Sequence, residues 1–340
     1  MEVNEIYMRR AISLALKGKF NVLPNPMVGA VIVGPDGKIL GEGYHRKCGE
    51  AHAEVNAIDA VKDKALLRDC TMYVTLEPCS HYGHTPPCAD LIIRMGIPRV
   101  VVGCLDTSAK VNGKGVQRLL DAGVEVEVGC LEEDCRSLNI VFFTAHEEHR
   151  PYIMLKWAQS ADGFIGALCQ PGERVSISTP LTTVLVHRIR SYSEAIMVGS
   201  GTVILDNPWL TVRKWPGRSP MRVVVDRRNR LSGNCNIFSD DAKTLIINDD
   251  KPLRETVGEL YAKHGVTFLL VEGGTHLLQS FIDQGLWDLC RVEYGTIVLG
   301  EYGTARAPRF EGYPPLRTFD FEGETVKYYS HNPRFDVKNL

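Results

Sequence analysis

The chain of 340 residues is too long for one ordinary core, and chains of this length usually form two domains of roughly 100–200 residues. Its composition, 44% hydrophobic and 24% charged, excludes a disordered chain, a coiled coil and a collagen-like fibre. With 39 Lys and Arg against 41 Asp and Glu, the formal net charge of -2 argues against a general binder of nucleic acids or membrane surfaces.

The N-terminal segment and the cysteines indicate the cellular compartment. The N-terminal segment is charged and lacks an apolar run of signal-peptide type, and no stretch approaches the roughly 18 apolar residues that span a bilayer. We therefore predict a cytoplasmic protein. Seven of the ten cysteines lie before residue 136, and in a reducing compartment such clustering favours metal binding or catalysis over disulfides.

Helices and strands alternate in the first block of the chain. Hydrophobic periodicity predicts helices at Glu5–Leu16, Ala53–Val61, Ala89–Met95, Gly115–Ala122 and Leu131–Phe143. Short apolar runs bounded by turn residues predict strands at Val28–Val33, Met72–Leu76, Arg99–Gly103 and Val124–Val128. This alternation predicts a mostly parallel sheet with helices on both faces.

A charged segment that ends in proline, His146–Pro151, separates the two blocks, and we predict domains at residues 1–147 and 148–340. In the second block, strands are predicted at Tyr152–Ala158, Ala195–Gly199, Met221–Asp226, Thr244–Asn248, Val266–Val271 and Arg291–Leu299. Helices are predicted from Thr179-Pro180 through Arg190 and at Thr275–Asp283. The second domain is therefore also predicted to be α/β.

The most specific pattern in the chain is His52-Ala53-Glu54 followed by Pro78-Cys79 and by Cys88. A catalytic zinc takes three protein ligands and keeps one position open, and one imidazole with two thiolates supplies that set. Glu54 is not a ligand in this pattern and is free to move protons, as in zinc deaminases. One alternative is a closed structural zinc site with His81 or His84 as the fourth ligand, and another is that the cysteines are simply buried. A structural role leaves Glu54 unexplained.

Eight residues separate the two cysteines, and at this point the chain resembles a known family. Pro24–Gly29, His52–Glu54 and Pro78–Cys88 are similar to the deaminase half of the bifunctional riboflavin-biosynthesis deaminase–reductases. In that family the long loop holds a phosphorylated ribosylaminopyrimidine. The resemblance implies substrate contacts from Asn25, His45, His81 and His84, the last at a position where the family usually has Lys or Arg.

The second block has no dinucleotide-binding G-x-G-x-x-G sequence. Its most distinctive feature is Val271–Thr275, where a predicted strand, two glycines and a helix follow one another. Such a turn brings backbone close to a phosphate, or it is an ordinary strand-to-helix connection. Residues 213–230, here called the basic segment, contain seven basic residues and one acidic residue, Asp226. This composition fits either a phosphate pocket or a solvated loop.

Several segments of this block resemble the reductase half of the same family, whose fold is similar to dihydrofolate reductase: Lys156, Asp162-Gly163, His187 to Arg190, Val198–Val203, Asp206 to Arg213, and Val271–Gly274. The resemblance implies substrate contacts from Arg174, Arg190, Leu210, Arg213 and Glu272. It implies NADPH contacts from Ala158, Ser176, Thr202, Asp206, Arg227, Gly274, Thr275, His276, Leu277, Leu278, Gln279 and Ser280. Asp206 and Lys156 are the catalytic candidates, and for Lys156 the alternative is a solvated strand residue. The chain departs from the family's usual residues at Arg174, Ser176 and Arg227.

The resemblance covers nearly the whole chain. It implies an N-terminal cytidine-deaminase-like three-layer α/β/α domain and a C-terminal dihydrofolate-reductase-like α/β domain. The implied activities are zinc-dependent deamination of a pyrimidine ribose phosphate and NADPH-dependent reduction of its ribosyl group. One Zn²⁺ per chain, NADPH, a small-molecule substrate and a homodimer or higher homo-oligomer are expected, with no nucleic-acid or membrane partner.

Two alternatives stay open at this point. One is a zinc deaminase of another pyrimidine or nucleoside with a non-catalytic second domain. The other is a binding protein with a structural zinc.

Overall fold

A computed structural model describes residues 3–82, 86–107, 111–167, 175–240, 242–321 and 323–331. The chain forms two compact units, and the division lies between Glu148 and His149. Within the described residues, no helix combines the length and apolar character that crossing a bilayer requires.

The first unit contains a five-stranded mixed sheet in the order β2-β1-β3-β4-β5. Strand β1 is antiparallel to β2 and β3, whereas β3, β4 and β5 are parallel to one another. The strands are β1 Gly29–Val33, β2 Ile39–Tyr44, β3 Thr71–Leu76, β4 Arg99–Cys104 and β5 Glu125–Val128. The helices are α1 Val3–Ala15, α2 Ala53–Ala60, α3 Cys88–Met95, α4 Lys114–Asp121, α5 Glu132–Leu138 and α6 Ile140–Glu148.

Helices cover both faces of this sheet because its central strands are apolar on both sides. Successive strand residues point to opposite faces. Ile32 packs with residues of α2, α3 and α4 in one buried cluster. Its neighbour Val31 packs with residues of α1, α5 and α6 in another. The unit is therefore a three-layer α/β/α structure.

The second unit contains an eight-stranded sheet in the order β10-β9-β8-β11-β6-β12-β15-β14 and a small two-stranded sheet, β13-β7. The pairs from β10 to β12 are parallel, and the last two pairs are antiparallel. The strands are β6 Tyr152–Gln159, β7 Phe164–Ala167, β8 Ala195–Gly199, β9 Met221–Val225, β10 Thr244–Ile247, β11 Phe268–Glu272, β12 Leu289–Tyr294, β13 Gly303–Arg306, β14 Arg317–Phe321 and β15 Glu324–Ser330.

The described residues of this unit form four α-helices: α7 Pro180–Tyr192, α8 Ser200–Asp206, α9 Leu253–His264 and α10 Thr275–Asp283. The largest buried cluster joins α9 and α10 to one face of β6, β8, β11 and β12, with Trp287 fully buried in it. Helix α7 begins as the sequence predicts, because the Thr179 side chain accepts from the Thr182 N–H and Pro180 occupies the first turn.

The structure differs from the sequence prediction in several elements. The sequence predicts one helix at Leu131–Phe143, whereas the structure has two, α5 and α6, separated at Asn139. The Asn139 side chain forms hydrogen bonds with the backbone of Met27. The predicted strand Arg291–Leu299 starts earlier and ends at Tyr294. In the first unit the mostly parallel sheet is mixed, because Gly34–Gly37 forms a tight turn that leads β1 into an antiparallel hairpin with β2.

Candidate active sites

Three side chains of zinc-ligand type come together in the first unit. His52 directly precedes α2, Cys79 follows β3, and Cys88 is the first residue of α3. Nδ1 of His52 lies 3.6 Å from Sγ of Cys79 and 3.3 Å from Sγ of Cys88. All three ligand atoms lie within 4.8 Å of one another. This donor set and spacing fit a catalytic zinc with one open position.

The start of α3 favours negative charge on one of these sulfurs. The backbone N–H of Cys88 donates to Sγ of Cys79 at 3.3 Å, and the N–H of Ala89 donates to the Cys79 carbonyl at 3.2 Å. A hydrogen bond with the Cys88 thiol lowers the pKa of the Cys79 thiol. Burial of Cys79 opposes this shift, and His52 adds to it. Cys79 is therefore held as a thiolate, the form that binds a metal.

Glu54 lies beside the three ligands without belonging to them. It is the second residue of α2, and only 3% of it is exposed. Burial raises the pKa of its carboxyl group, although the neighbouring His52 opposes the shift. A buried carboxyl group next to a metal can accept a proton and return it, which is the role that general acid–base catalysis needs.

Two of the predicted substrate residues also meet at this site. Nδ2 of Asn25 lies 3.2 Å from Nε2 of His45, and the His45 ring packs edge-on against the His52 ring at 5.4 Å. Nδ1 of His45 lies 3.1 Å from the Ala51 carbonyl, which only accepts, so Nδ1 carries the proton and Nε2 accepts from Asn25. Burial lowers the pKa of His45, which keeps this ring neutral.

Asn139 supports this side of the site and was not predicted from the sequence. Its side chain accepts from the Met27 N–H at 2.7 Å and donates to the Met27 carbonyl at 2.8 Å, which fixes the chain just after Asn25. His81 is exposed on the loop after Cys79, and the predicted contact from His84 lies outside the described residues.

In the second unit, the predicted substrate residues Arg190 and Glu272 form an ion pair. Nε and Nη2 of Arg190 lie 2.9 Å and 2.7 Å from the two carboxylate oxygens of Glu272. Nη1 of Arg190 donates to the Thr211 carbonyl at 3.3 Å. Although burial opposes the shift, Arg190 lowers the pKa of Glu272. The pair is therefore charged, and it joins α7 to the end of β11.

His187 connects the same helix to the segment that carries Leu210 and Arg213. The backbone N–H of Arg213 donates to Nδ1 of His187 at 3.0 Å. Burial, and then the charges of Arg190 and Arg213, lower the pKa of His187 to about 4. The ring is therefore a neutral acceptor. Leu210 is buried with φ of 57°, so this segment turns sharply where it meets the site.

The two catalytic candidates of this unit lie in different settings. Lys156 is half-buried on β6, and the sheet register places it beside Glu272 on one side and Arg291 on the other. Burial lowers the pKa of its ammonium group, and Glu272 and Glu293 oppose that shift. Lys156 is thus not an ordinary solvated strand residue. Asp206 is exposed at the end of α8.

The two-glycine turn after Glu272 is built for close approach. Gly273 and Gly274 have backbone φ angles of 85° and 75°, values that residues with a side chain rarely adopt. A Cβ atom on either glycine would also lie 3.3 Å from the Thr202 side chain. Glycines at both positions therefore let α8 and α10 begin close together around one space.

That space is a cavity of about 610 Å³ between the glycine turn and the basic segment. Six predicted cofactor residues line it: Thr202, Arg227, Gly274, His276, Leu277 and Ser280. Its wall also includes Arg228 and Arg230, two of the seven basic residues of 213–230, and Lys251, which was not predicted from the sequence. The cavity therefore combines a glycine turn with several cations, which suits an anionic cofactor.

Comparisons with known proteins cover both units. A family model described as the cytidine and deoxycytidylate deaminase zinc-binding region matches residues 1–104, and one for the RibD C-terminal domain matches residues 151–322. The riboflavin biosynthesis protein RibD of Aquifex aeolicus is 40% identical over 88% of this chain and 89% of its own length. The Escherichia coli RibD is 35% identical over 94% and 95%. The chain belongs to the RibD family.

Solved structures agree with the RibD assignment. A Thermotoga maritima diaminohydroxyphosphoribosylaminopyrimidine deaminase/5-amino-6-(5-phosphoribosylamino)uracil reductase is 35% identical, with a TM-score of 0.84 over 96% of this chain and 98% of that one. Acinetobacter baumannii RibD is 33% identical, with a TM-score of 0.86. The predicted fold class and bifunctional riboflavin-biosynthesis activity are confirmed, as are the cofactors zinc and NADPH.

Six of the NADPH contacts predicted from the RibD resemblance do not line the cavity: Ala158, Ser176, Asp206, Thr275, Leu278 and Gln279. Leu278 packs fully buried in the core, Ser176 donates to the Ser178 carbonyl, and Gln279 donates to Asp283. The predicted substrate contact from Arg174 lies outside the described residues. Their roles stay predictions.

Proposed function

We propose that the first unit deaminates 2,5-diamino-6-ribosylamino-4(3H)-pyrimidinone 5′-phosphate at the site formed by His52, Cys79 and Cys88. The observation that carries this proposal is the buried, non-ligand carboxyl group of Glu54 beside three zinc-type ligands. Zinc bound there supplies an activated water. Glu54 takes a proton from the attacking water and delivers it to the leaving nitrogen, so that the amine leaves as ammonia.

The pyrimidine is oriented by groups on the first unit's own loops. The Asn25 amide and the neutral His45 ring offer a donor and acceptor edge next to the ligands. Asn139 holds the chain that carries Asn25 in place. An edge of fixed hydrogen-bonding polarity is what recognition of a heterocyclic base requires.

We further propose that the second unit reduces the deaminated product and gives 5-amino-6-ribitylamino-uracil 5′-phosphate. NADPH in the cavity beside the Gly273-Gly274 turn supplies the hydride. Transfer of this hydride to C1′ of the ribose would break the bond from C1′ to the ring oxygen, and that oxygen would need a proton from the chain. Lys156 and Asp206 are the candidate groups for the proton, and Arg190 and Arg213 are the candidates for the substrate phosphate.

The experiment that tests both halves measures them separately in one protein. Ammonia release from the diamino substrate reports the first reaction, and loss of NADPH absorbance with the deaminated substrate reports the second. Removal of zinc by a chelator should abolish ammonia release and leave NADPH consumption unchanged. Deamination that persists in metal-free protein would contradict the zinc mechanism. A protein that deaminates without ever consuming NADPH would support the alternative of a zinc deaminase with a non-catalytic second domain.

The remaining expectations stand as predictions. A homodimer or higher homo-oligomer is expected from the family resemblance, and a cytoplasmic location from the sequence. A small-molecule substrate is expected from the family resemblance, and the basic residues around the second unit's cavity suit the anionic cofactor proposed there.

A further inference from the structure

A buried carboxylate with no assigned role lies directly before the zinc-ligand turn. Glu77 follows β3 and precedes Pro78-Cys79, and it is 4% exposed. Its backbone N–H continues the sheet by donating to the Cys104 carbonyl at 3.0 Å. Its side chain points away from this ladder to the segment that leads into α4.

Four backbone N–H groups converge on the Glu77 carboxylate. Oε2 accepts from Asp106 at 3.2 Å and from Gly113 at 2.9 Å. Oε1 accepts from Gly115 at 2.8 Å and from Val116 at 3.2 Å, both in the first turn of α4. Each oxygen therefore uses two acceptor directions, and the negative charge lies at the positive end of the helix.

A close backbone contact reinforces this attachment. A Cβ atom on Gly115 would collide with the carbonyl oxygen of Pro78. Gly113, which directly precedes α4, has φ of 83° and provides the turn that aims its N–H at Glu77. The first turn of α4 thus presses against the residue that precedes the ligand Cys79.

Cys79 is consequently fixed from two sides. On one side its sulfur and carbonyl accept from the first residues of α3, Cys88 and Ala89. On the other side Pro78 restricts the backbone, and Glu77 ties it to α4. We propose that Glu77 is a positioning residue of the deaminase, which holds the Cys79 thiolate at the distance from His52 and Cys88 that binding of zinc requires. This inference rests on the assignment of Cys79 as a zinc ligand.

The proposed role has a consequence that general stabilisation of the domain does not have. Loss of outer contacts that orient metal ligands typically costs 10–100-fold in metal affinity or activity. Zinc should therefore leave faster when Glu77 is changed, even in a protein that stays folded. Since Asn25 and His45 lie on other segments, the KM for the pyrimidine should stay the same while kcat for deamination falls.

The test uses the full chain with two variants and one matched control. Glu77→Gln keeps the shape of the side chain but removes its charge and one of its two acceptor oxygens. Gly115→Ala places a Cβ atom against the carbonyl oxygen of Pro78 and so displaces the residue before Cys79. Met8→Ala is the control, because Met8 is fully buried in the cluster on the other face of the sheet. The measurements are zinc transfer to a chromophoric chelator, kcat and KM for deamination, and reduction of the deaminated substrate.

We expect both site variants to release zinc at least about tenfold faster than the parent, with lower kcat and unchanged reduction. Met8→Ala should lower the thermal stability of the first unit and leave zinc release near the parent rate. Parent-like release from a folded Glu77→Gln or Gly115→Ala protein overturns the proposal, as does equally fast release from Met8→Ala. If Glu77→Gln does not fold, Gly115→Ala decides. A zinc-replete Cys88→Ser protein would instead overturn the ligand assignment.

Discussion

Arg190 and Glu272 face each other as a two-point ion pair that joins the last turn of α7 to the last residue of β11. Their side chains are 13% and 11% exposed, so water screens the pair only weakly. The glycine turn that borders the cofactor cavity follows directly. Glu272 therefore fixes the direction of the guanidinium group at the point where cofactor and substrate are proposed to meet.

Glu272→Gln should impair reduction and leave deamination unchanged, because the guanidinium group loses its fixed direction while the first unit is untouched. We expect kcat/KM for reduction to fall at least about tenfold and the unfolding free energy of the second unit to fall by about 1–3 kcal/mol. Tryptophan fluorescence in urea measures this unit selectively, because all four tryptophans of the chain, Trp157, Trp209, Trp215 and Trp287, lie in it.

The matched control is Glu311→Gln, an identical change at an exposed position of the same unit. It should alter neither quantity. Unchanged reduction in a folded Glu272→Gln protein would contradict the role given to the ion pair.

Exchanging one catalytic carboxyl group in each unit should separate the two activities. Glu54→Gln keeps size and hydrogen bonding but removes the group that moves the proton, so deamination should fall about 10²–10⁴-fold. Zinc content and reduction should stay the same, because Glu54 is not one of the three ligands. Asp206→Asn should do the converse, and if Asp206 only positions the cofactor, the KM for NADPH will rise more than kcat falls. Loss of reduction in a folded Glu54→Gln protein would contradict two independent sites.

Arg228 is expected to contribute to the choice of NADPH over NADH. It lines the cavity, where its neighbours already have partners: Arg227 donates to the Lys251 carbonyl and Arg230 donates to the Ser200 hydroxyl. Arg228 makes no hydrogen bond with any residue that the structure describes, so its guanidinium group is available to a phosphate. Arg228→Ala should raise the KM for NADPH about tenfold, a loss of roughly 1.4 kcal/mol, and leave the KM for NADH unchanged.

The control for this prediction is Arg218→Ala. Arg218 belongs to the same basic segment, is exposed and does not line the cavity. Steady-state kinetics with both cofactors should show parent-like constants for it. An equal rise in the KM for NADPH and NADH in Arg228→Ala would show that Arg228 binds the shared part of the cofactor instead.

The zinc group could be predicted from the sequence because its ligand types and Glu54 form a specific pattern of short spacings. The contacts of Glu77 could not, because its four partners lie 29 to 39 residues further along the chain and present only backbone N–H groups. Composition alone could not separate Arg228 from its basic neighbours either. The strand predicted at Arg291–Leu299 was too long because its last residues are apolar, yet Val298 is 71% exposed.

The last prediction concerns the pH dependence of stability in the second unit. His187 has a pKa of about 4 in the fold and an ordinary value near 6.5 when unfolded, because burial and the charges of Arg190 and Arg213 disfavour the imidazolium form. Between these two values the unfolded chain binds one more proton than the folded one. Stability is therefore lost as pH falls from about 6.5 to about 4, by about 3 kcal/mol from this one group, and no further below that range.

His187→Asn should remove this dependence, because its side-chain oxygen can still accept from the Arg213 N–H but does not titrate. The measurement is the unfolding free energy from tryptophan fluorescence in urea at pH 7 and pH 5. The parent should lose about 2 kcal/mol more than the variant over this interval, since roughly 1.5 pH units lie between pH 5 and the unfolded pKa. The control His264→Asn changes an exposed histidine of the same unit and should behave as the parent does. Equal losses in the parent and in His187→Asn would mean that the buried ring is not the group that titrates.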